Sequence, residues 1–152
     1  MWRFDWTEAM SVAIEELDED HKRSVRIMNL IGAAASAADF SNAEKMRDAL
    51  AIDLAQHFRR EERILARYGY PRLKTHILGH RAANDELQKF AQVIKTRNVI
   101  AILGALDDLR LFFVERLIID DIDYKWFFLD RRIVPEFSDE PAVESPALDS
   151  RD

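Results

Sequence analysis

The chain has 152 residues, a formal net charge of -6 and no cysteine. This length suits a single domain, and the lack of cysteine excludes disulfide bonds and thiolate metal ligands. The negative charge argues against nucleic acids and anionic membranes as partners. The N-terminus lacks the basic and then apolar segments of a signal peptide, and no apolar stretch has the length of a membrane span. We therefore expect a soluble, cytoplasmic protein.

Residues that break helices are rare, since the chain has only four glycines and four prolines. This composition favours long helices. Residues 1–17 carry spaced aromatic and apolar side chains, and we expect them to form an N-terminal arm that covers the helices. The first helix is predicted from about Asp18 to Ala37, because apolar residues recur there at steps of three and four.

The second helix is predicted to begin at a capping box formed by Ser41 and Glu44, which stand three residues apart. It should end near Arg67, because a glycine and a proline follow at Gly69 and Pro71. Proline suits the first turn of a helix, so the third helix should begin at that proline.

The third helix is predicted over about 71–95 and the fourth over about 98–131. Four helices joined by short loops favour antiparallel neighbours. The predicted fold is therefore all-α. Residues 1–134 should form one domain, an antiparallel up-down-up-down four-helix bundle that includes the N-terminal arm. Residues 135–152 are acidic, rich in proline and serine and without periodicity. They predict a disordered tail, which offers a possible contact for a protein partner.

The four histidines of the chain have the spacing of a metal site. His57 and Glu61 are four residues apart on the second predicted helix, and His76 and His80 are four apart on the third. Residues at this spacing share one helix face, so each pair can reach a common point in the core. Imidazole and carboxylate without thiolate favour iron or manganese. A lone His-Glu pair is more often a surface ion pair, and a lone His-His pair is a somewhat better signal. His21 adds a ligand from a third helix and so raises the odds of a site.

The sequence resembles the bacterial hemerythrins over roughly residues 6–129. Short motifs along most of the chain carry this resemblance. They are Trp6 with Ser11-Val12-Ala13-Ile14; Leu17-Asp18-Glu19-Asp20-His21-Lys22; His57-Phe58-Arg59-Arg60-Glu61-Glu62; Tyr70-Pro71; His76 with His80; and Phe112-Phe113-Val114-Glu115-Arg116-Leu117 followed by Asp121 and Tyr124.

This resemblance implies a protein that binds dioxygen at two iron ions, which are joined by an oxo or hydroxo bridge. It implies an oxygen carrier, store or sensor rather than an enzyme. The implied metal ligands are His21 and His57 on the iron that takes dioxygen, His76 and His80 on the other iron, and Glu61 and Asp121 as bridges between the two.

Bulky apolar residues surround the dioxygen pocket in the family that this chain resembles. Phe58, Phe112 and Phe113 stand at such positions. Together with Leu117 they would give the water-excluding surroundings that a carrier needs. Phe58, Phe112 and Phe113 are also compatible with an ordinary core, and the two interpretations do not exclude each other.

Arg116 departs from the family pattern, which is His-x-x-x-x-Asp with a histidine at this position. Arginine stays protonated and cannot ligate a metal, so the resemblance leaves room for a single iron or a labile second one. Three outcomes follow. Arg116 pairs with Glu115 or Asp120 and leaves an open position on the second iron; it lies across Glu61 and Asp121 in place of that iron; or the metal site is lost. We favour the first, because the histidine pair of the third helix would otherwise lack a purpose.

The choice of the last carboxylate ligand depends on helix geometry. Residues five apart on a regular α-helix differ by about 140° in direction, and residues four apart by about 40°. Asp120 therefore shares the face of Arg116 better than Asp121 does. Asp121 as a ligand requires a locally widened turn, and such turns are frequent at functional sites. Asp121 is the first choice by resemblance and Asp120 the alternative.

Two other functions compete with the carrier. One is a di-iron peroxidase or oxidase, in which Arg116 would stabilise a bound peroxide or other anion. The other is a partner-binding bundle whose metal is structural or altered. Reversible oxygenation distinguishes the carrier from the enzyme, and metal content tests the third class.

Overall fold

A computed structural model describes residues 1–137, and every regular element of these residues is helical. Each long helix contacts the next, and the first also contacts the fourth, so the helices close into a bundle. The predicted four-helix bundle is confirmed. Its elements are a 3₁₀ turn at Glu8–Met10, α1 at Glu15–Ser36, α2 at Phe40–Arg67, α3 at Leu73–Lys95, α4 at Val99–Arg116, a π-helical turn at Leu117–Asp121 and α5 at Ile122–Asp130.

The predicted start of the second helix is wrong by a few residues. Ser41 lies inside α2, and the N-cap is Asp39, whose side chain accepts a hydrogen bond from the backbone N–H of Asn42. Aspartate caps a helix as well as serine does, so two candidate caps stood close together in the sequence. The earlier one is used.

The other helix ends differ in the same modest way. α1 begins at Glu15, three residues before the predicted start, with acidic residues in its first turn that interact favourably with the N-terminal end of a helix. α3 begins at Leu73, because Pro71 and Arg72 form a turn before it. The fourth predicted helix is not continuous, since the π-helical turn separates α4 from α5.

The N-terminal arm packs against the bundle as predicted. The backbone of Phe4 and the side chain of Asn29 exchange two hydrogen bonds of 2.8 Å. The ring of Trp2 lies against Gly32 of α1 so closely that a Cβ there would be 2.7 Å from a ring carbon. Glycine at this position therefore lets the arm approach the helix.

The buried side chains form two apolar clusters with a polar layer between them. Along α2 this order is visible in one helix face. Leu50 and Leu54 belong to the first cluster, His57 and Glu61 are buried polar residues, and Leu65 belongs to the second cluster. The helices therefore bring polar side chains together in the middle of the bundle.

The last described residues also contact the bundle. Phe137 packs against the second cluster, and the backbone N–H of Glu136 donates to the hydroxyl of Tyr68. The predicted tail lies mostly outside the described residues, so its disorder stays a prediction. No described helix combines the length and the apolar character that a membrane span requires.

Candidate metal centre

Four buried side chains from three parts of the bundle form a first cluster of possible metal ligands. They are His21 of α1, His57 and Glu61 of α2, and Asp121 at the end of the π-helical turn. The Nε2 atoms of His21 and His57 are 3.0 Å apart. Nε2 of His57 is 3.2 Å from Oε2 of Glu61, and Nε2 of His21 is 3.2 Å from Oδ2 of Asp121.

A second cluster shares one residue with the first. It consists of Glu61 with His76 and His80 of α3. Nε2 of His80 is 2.8 Å from Oε1 of Glu61, and Nε2 of His76 contacts the same oxygen. Nε2 of His76 is also 3.5 Å from Oδ1 of Asp121. Each of the two carboxylates therefore turns one oxygen towards each cluster.

The distances between these atoms fit metal ions. Two ligand atoms about 2.1 Å from a metal, at neighbouring corners of an octahedron, are about 3.0 Å apart. The separations of 3.0 Å and 3.2 Å in the first cluster of ligands, and of 2.8 Å in the second, are close to this value. Imidazole and carboxylate donors are also the chemistry that iron and manganese accept. The residues present therefore fit a pair of metal ions.

The buried carboxylates in the two groups of possible metal ligands favour positive charge beside them. Burial alone lowers the pKa of His57, but the charge of Glu61 and hydrogen bonds to Asp20 and Glu61 outweigh it and raise this pKa to about 10. Burial likewise opposes protonation of His76, yet its hydrogen bond to Glu61 and that carboxylate's charge raise its pKa to about 9. Without a metal, protons on these imidazoles would neutralise the buried carboxylates. A bound metal ion would replace them.

The π-helical turn is what brings Asp121 to the site. This turn runs from Leu117 to Asp121, directly after Arg116. Residues five apart point in different directions on a regular α-helix, and the wider turn compensates for this difference. Asp121 therefore points at the two groups of possible metal ligands, while Tyr124 and Phe128 of α5 remain buried. The widened turn that the sequence argument required is present.

The sequence matches the profile of the hemerythrin HHE cation binding domain over residues 12–118, which is most of the chain. The chain belongs to the hemerythrin family. Among curated proteins, none matches the chain significantly. The matched range of this hemerythrin domain contains the four histidines and Glu61 but ends before Asp121. The placement of Asp121 therefore rests on geometry.

Arg116 of this hemerythrin domain makes only long contacts. Its guanidinium is 3.4 Å from Oδ2 of Asp120 and 3.5 Å from Oε1 of Glu115. These are the two partners of the first outcome considered from the sequence. Gly79 of α3 makes room for this arrangement, because a Cβ there would be 2.8 Å from Oδ2 of Asp120.

Carboxylates hold two of the histidines from behind. Nδ1 of His57 is 3.0 Å from Oδ2 of Asp20, and Nδ1 of His80 is 2.7 Å from Oε1 of Glu62. Since a carboxylate can only accept, each Nδ1 carries the hydrogen, and each Nε2 keeps its lone pair for a metal. Sequence reasoning did not identify Asp20 or Glu62 as functional residues, although both lie inside motifs that carried the resemblance.

Asp20 is itself held by two arginines. Arg60 lies 3.0 Å from both carboxylate oxygens of Asp20, and Arg23 lies 2.8 Å from one of them. Arg23 also donates to the buried carboxylate of Asp53 at 2.6 Å. Burial alone raises the pKa of Asp20, but His57 and the two arginines lower it below its ordinary value. Asp20 is therefore ionised and fixed in place.

Tyr124 adds a hydrogen bond to the shared carboxylate. This fully buried side chain donates its hydroxyl hydrogen to Oε2 of Glu61 at 2.8 Å. Burial, with the nearby charges of Asp121 and Glu61, raises the pKa of Tyr124 well above its ordinary value. The phenol therefore stays protonated and remains a donor.

A small cavity of about 50 Å³ adjoins the centre. The four residues proposed for the dioxygen pocket all line it, together with the four histidines. Phe58 stacks on His80 with ring centres 4.0 Å apart, and Phe113 meets His21 edge-on at 6.0 Å. Its lining is mainly apolar; the pocket residues are Phe58, Phe112, Phe113 and Leu117.

Proposed function

We propose that this hemerythrin domain holds two iron ions, joined by an oxo or hydroxo bridge, and binds dioxygen reversibly as a carrier, store or sensor. One observation carries the proposal. Glu61 and Asp121 each direct one oxygen at the His21 cluster and the other at the α3 histidines. Two carboxylates placed across two sets of imidazoles are the arrangement that a pair of metal ions requires.

These contacts support the following ligand set. His21 and His57 would hold one iron, and His76 and His80 would hold the other. Glu61 and Asp121 would supply carboxylate oxygens to both. When bound, iron supplies the electrons that dioxygen accepts on binding. The surrounding side chains would fix the position of the iron and form the pocket beside it.

The surrounding side chains suit reversible binding better than turnover. Phe58, Phe113 and Leu117 give the cavity beside the histidines an apolar lining, and a site that holds little water suppresses side reactions of a bound ligand. The phenol of Tyr124 stays protonated and donates a hydrogen bond to Glu61. Asp20 and Glu62 fix the ring orientation of His57 and His80.

Turnover of peroxide is the second candidate, and Arg116 favours it. This side chain lines the cavity where the family pattern has a histidine. A metal at His76 and His80 would then have one ligand fewer, and a fixed positive charge can stabilise negative charge that develops in a reaction.

The test is to load the protein with iron, reduce it without air, and cycle it between dioxygen and argon while the ultraviolet–visible spectrum is recorded. The proposal predicts an oxygenated spectrum that forms and disappears over repeated cycles. Glu61→Gln should abolish it by removing the shared charge, whereas Glu44→Gln, an exposed change on the same helix, should leave it intact. Irreversible oxidation in the first cycle, with rapid consumption of hydrogen peroxide, would replace the carrier with the enzyme.

A further inference from the structure

The cavity beside the metal centre contains an unusual residue. Arg116 is the one permanent cation among the described residues that line it, and most of the other lining residues are apolar. The side chain is about one third exposed, at 34%, so it stands where the cavity meets solvent. An arginine at the mouth of an apolar cavity calls for a partner of opposite charge.

The partners that Arg116 has are weak. Charge-assisted hydrogen bonds of guanidinium to carboxylate are usually about 2.7–2.9 Å long. The contacts of Arg116 with Asp120 and Glu115 are 3.4 Å and 3.5 Å. Its Nε atom is buried and has no hydrogen-bond partner among the described residues. Since guanidinium has five N–H donors, several are left for a further acceptor.

The fold ties this cation to the α3 histidines. The carboxylate of Asp120 packs directly on Gly79, which lies on α3 between His76 and His80. Arg116 contacts that same carboxylate from α4. The guanidinium thus lies beside the helical turn that carries the proposed ligands of the second iron, at the position where this chain lacks the family's histidine.

We infer that Arg116 forms an anion subsite in this cavity, next to the metal position of His76 and His80, for a small monoanion that accepts hydrogen bonds. The inference rests on the proposed metal centre and specifies its ligand class. The anion would take over the N–H donors that Arg116 now offers to Asp120 at long range. The cavity volume of about 50 Å³ is several times what one water needs, so it accepts ligands of a few atoms.

The first test is a titration of the iron-loaded protein with sodium azide and with sodium nitrite, followed by its visible spectrum. Arg116→Gln keeps much of the side chain's length and removes the charge, so it should raise both dissociation constants by about tenfold or more. Arg116→Lys should restore part of the loss. Arg26→Gln removes the same charge from an exposed position on α1 and should match the unchanged protein. Dissociation constants for Arg116→Gln equal to those for Arg26→Gln would overturn the inference.

A second test does not depend on iron or on dioxygen. In protein loaded with zinc, which is diamagnetic, the ¹⁵N–¹H signal of the Arg116 Nε is assigned by its absence in Arg116→Gln. Nitrite should shift this signal in a saturable way, and sodium perchlorate at equal ionic strength should shift it much less. A signal that does not respond to nitrite contradicts the subsite even if oxygenation is reversible. A response without reversible oxygenation supports the subsite and rejects the carrier.

Discussion

At the scale of single residues, the proposed centre depends on side chains that would not touch a metal. Asp20 is the clearest, because it fixes His57 through Nδ1 and is itself fixed by Arg23 and Arg60. A carboxylate behind a ligating histidine sets the tautomer, orients the ring and increases its basicity. Loss of the Asp20 carboxylate should therefore weaken metal binding, although Asp20 itself would not touch the metal.

Asp20→Asn removes this charge while keeping the shape of the side chain. We predict that the variant loses iron to a chelator about 10–100 times faster than the unchanged protein. Glu19→Gln is the matched control, since it makes the same acid-to-amide change at the neighbouring exposed residue. Equal rates of iron release for the two variants would mean that Asp20 has no part in holding His57.

The sequence indicated the proposed metal ligands far better than the residues that hold those ligands in place. His57 and Glu61, like His76 and His80, could be paired by counting along a helix, and His21 completed the set as the remaining histidine, on a third predicted helix. Asp20 could not be found in this way, because it contacts His57 across two helices and 37 positions of sequence. Such a contact depends on how α1 packs on α2, which spacing alone does not determine.

At the scale of elements, the π-helical turn assigns different tasks to two neighbouring aspartates. Oxygens of Asp121 lie 3.2 Å from His21 and 3.5 Å from His76, whereas Asp120 faces Arg116 and Gly79. The need for a widened turn follows from helix geometry alone. The start of α2 does not, since Asp39 and Ser41 are both good caps and only tertiary packing chooses between them.

Asp121→Asn and Asp120→Asn make identical chemical changes on either side of one peptide bond. We predict that Asp121→Asn lowers the iron retained per chain, because one carboxylate oxygen is lost as an anionic donor. Asp120→Asn should retain iron as the unchanged protein does. Elemental analysis after gel filtration measures both. The reverse order of iron contents would make Asp120 the ligand.

Gly79 and Gly104 offer a matched pair for helix stability. Glycine to alanine in the interior of a helix usually stabilises by about 1 kcal/mol. Gly104→Ala on α4 should show this gain, since a Cβ there meets nothing within 4 Å. Gly79→Ala should gain less or lose stability, because the carboxylate of Asp120 must move. Urea unfolding measures both, and equal gains would show that Asp120 is not held against Gly79.

At the scale of the whole molecule, the bundle places a charged layer between two apolar clusters. The architecture was predictable because apolar periodicity and short loops leave few other all-helical arrangements. That the polar layer sits in the middle also follows from α2, whose apolar residues flank His57 and Glu61 on both sides. The behaviour of residues 138–152 remains a sequence prediction.

This charged layer predicts a pH dependence for the metal-free protein. The pKa values of His57 and His76 are raised to about 10 and about 9. The stability that these two groups contribute to the folded state is therefore fully present below the ordinary histidine pKa of about 6.5. It is lost as pH rises through the folded-state values. The pKa of Glu61 lies well below its ordinary value, so its contribution is present above about 4.5 and lost as pH falls.

The metal-free protein should therefore melt at a lower temperature near pH 9 than near pH 6. Iron or zinc binding requires unprotonated Nε2 atoms, so the melting temperature gained from the metal should grow over the same pH range. Calorimetry of metal-free and loaded protein at the two pH values measures this. A metal-free protein that is more stable near pH 9 would contradict the charge arrangement of the centre.

The number of irons bound per chain shows whether the two groups of ligands hold a pair of metal ions. The protein should be purified gently, without chelators, from cells supplied with iron, and its metals measured by elemental analysis against protein concentration. Two sets of imidazoles joined by two carboxylates predict two irons per chain. A value that stays at one when iron is in excess would remove the second metal position. Zinc alone, or no metal, would contradict the proposed centre.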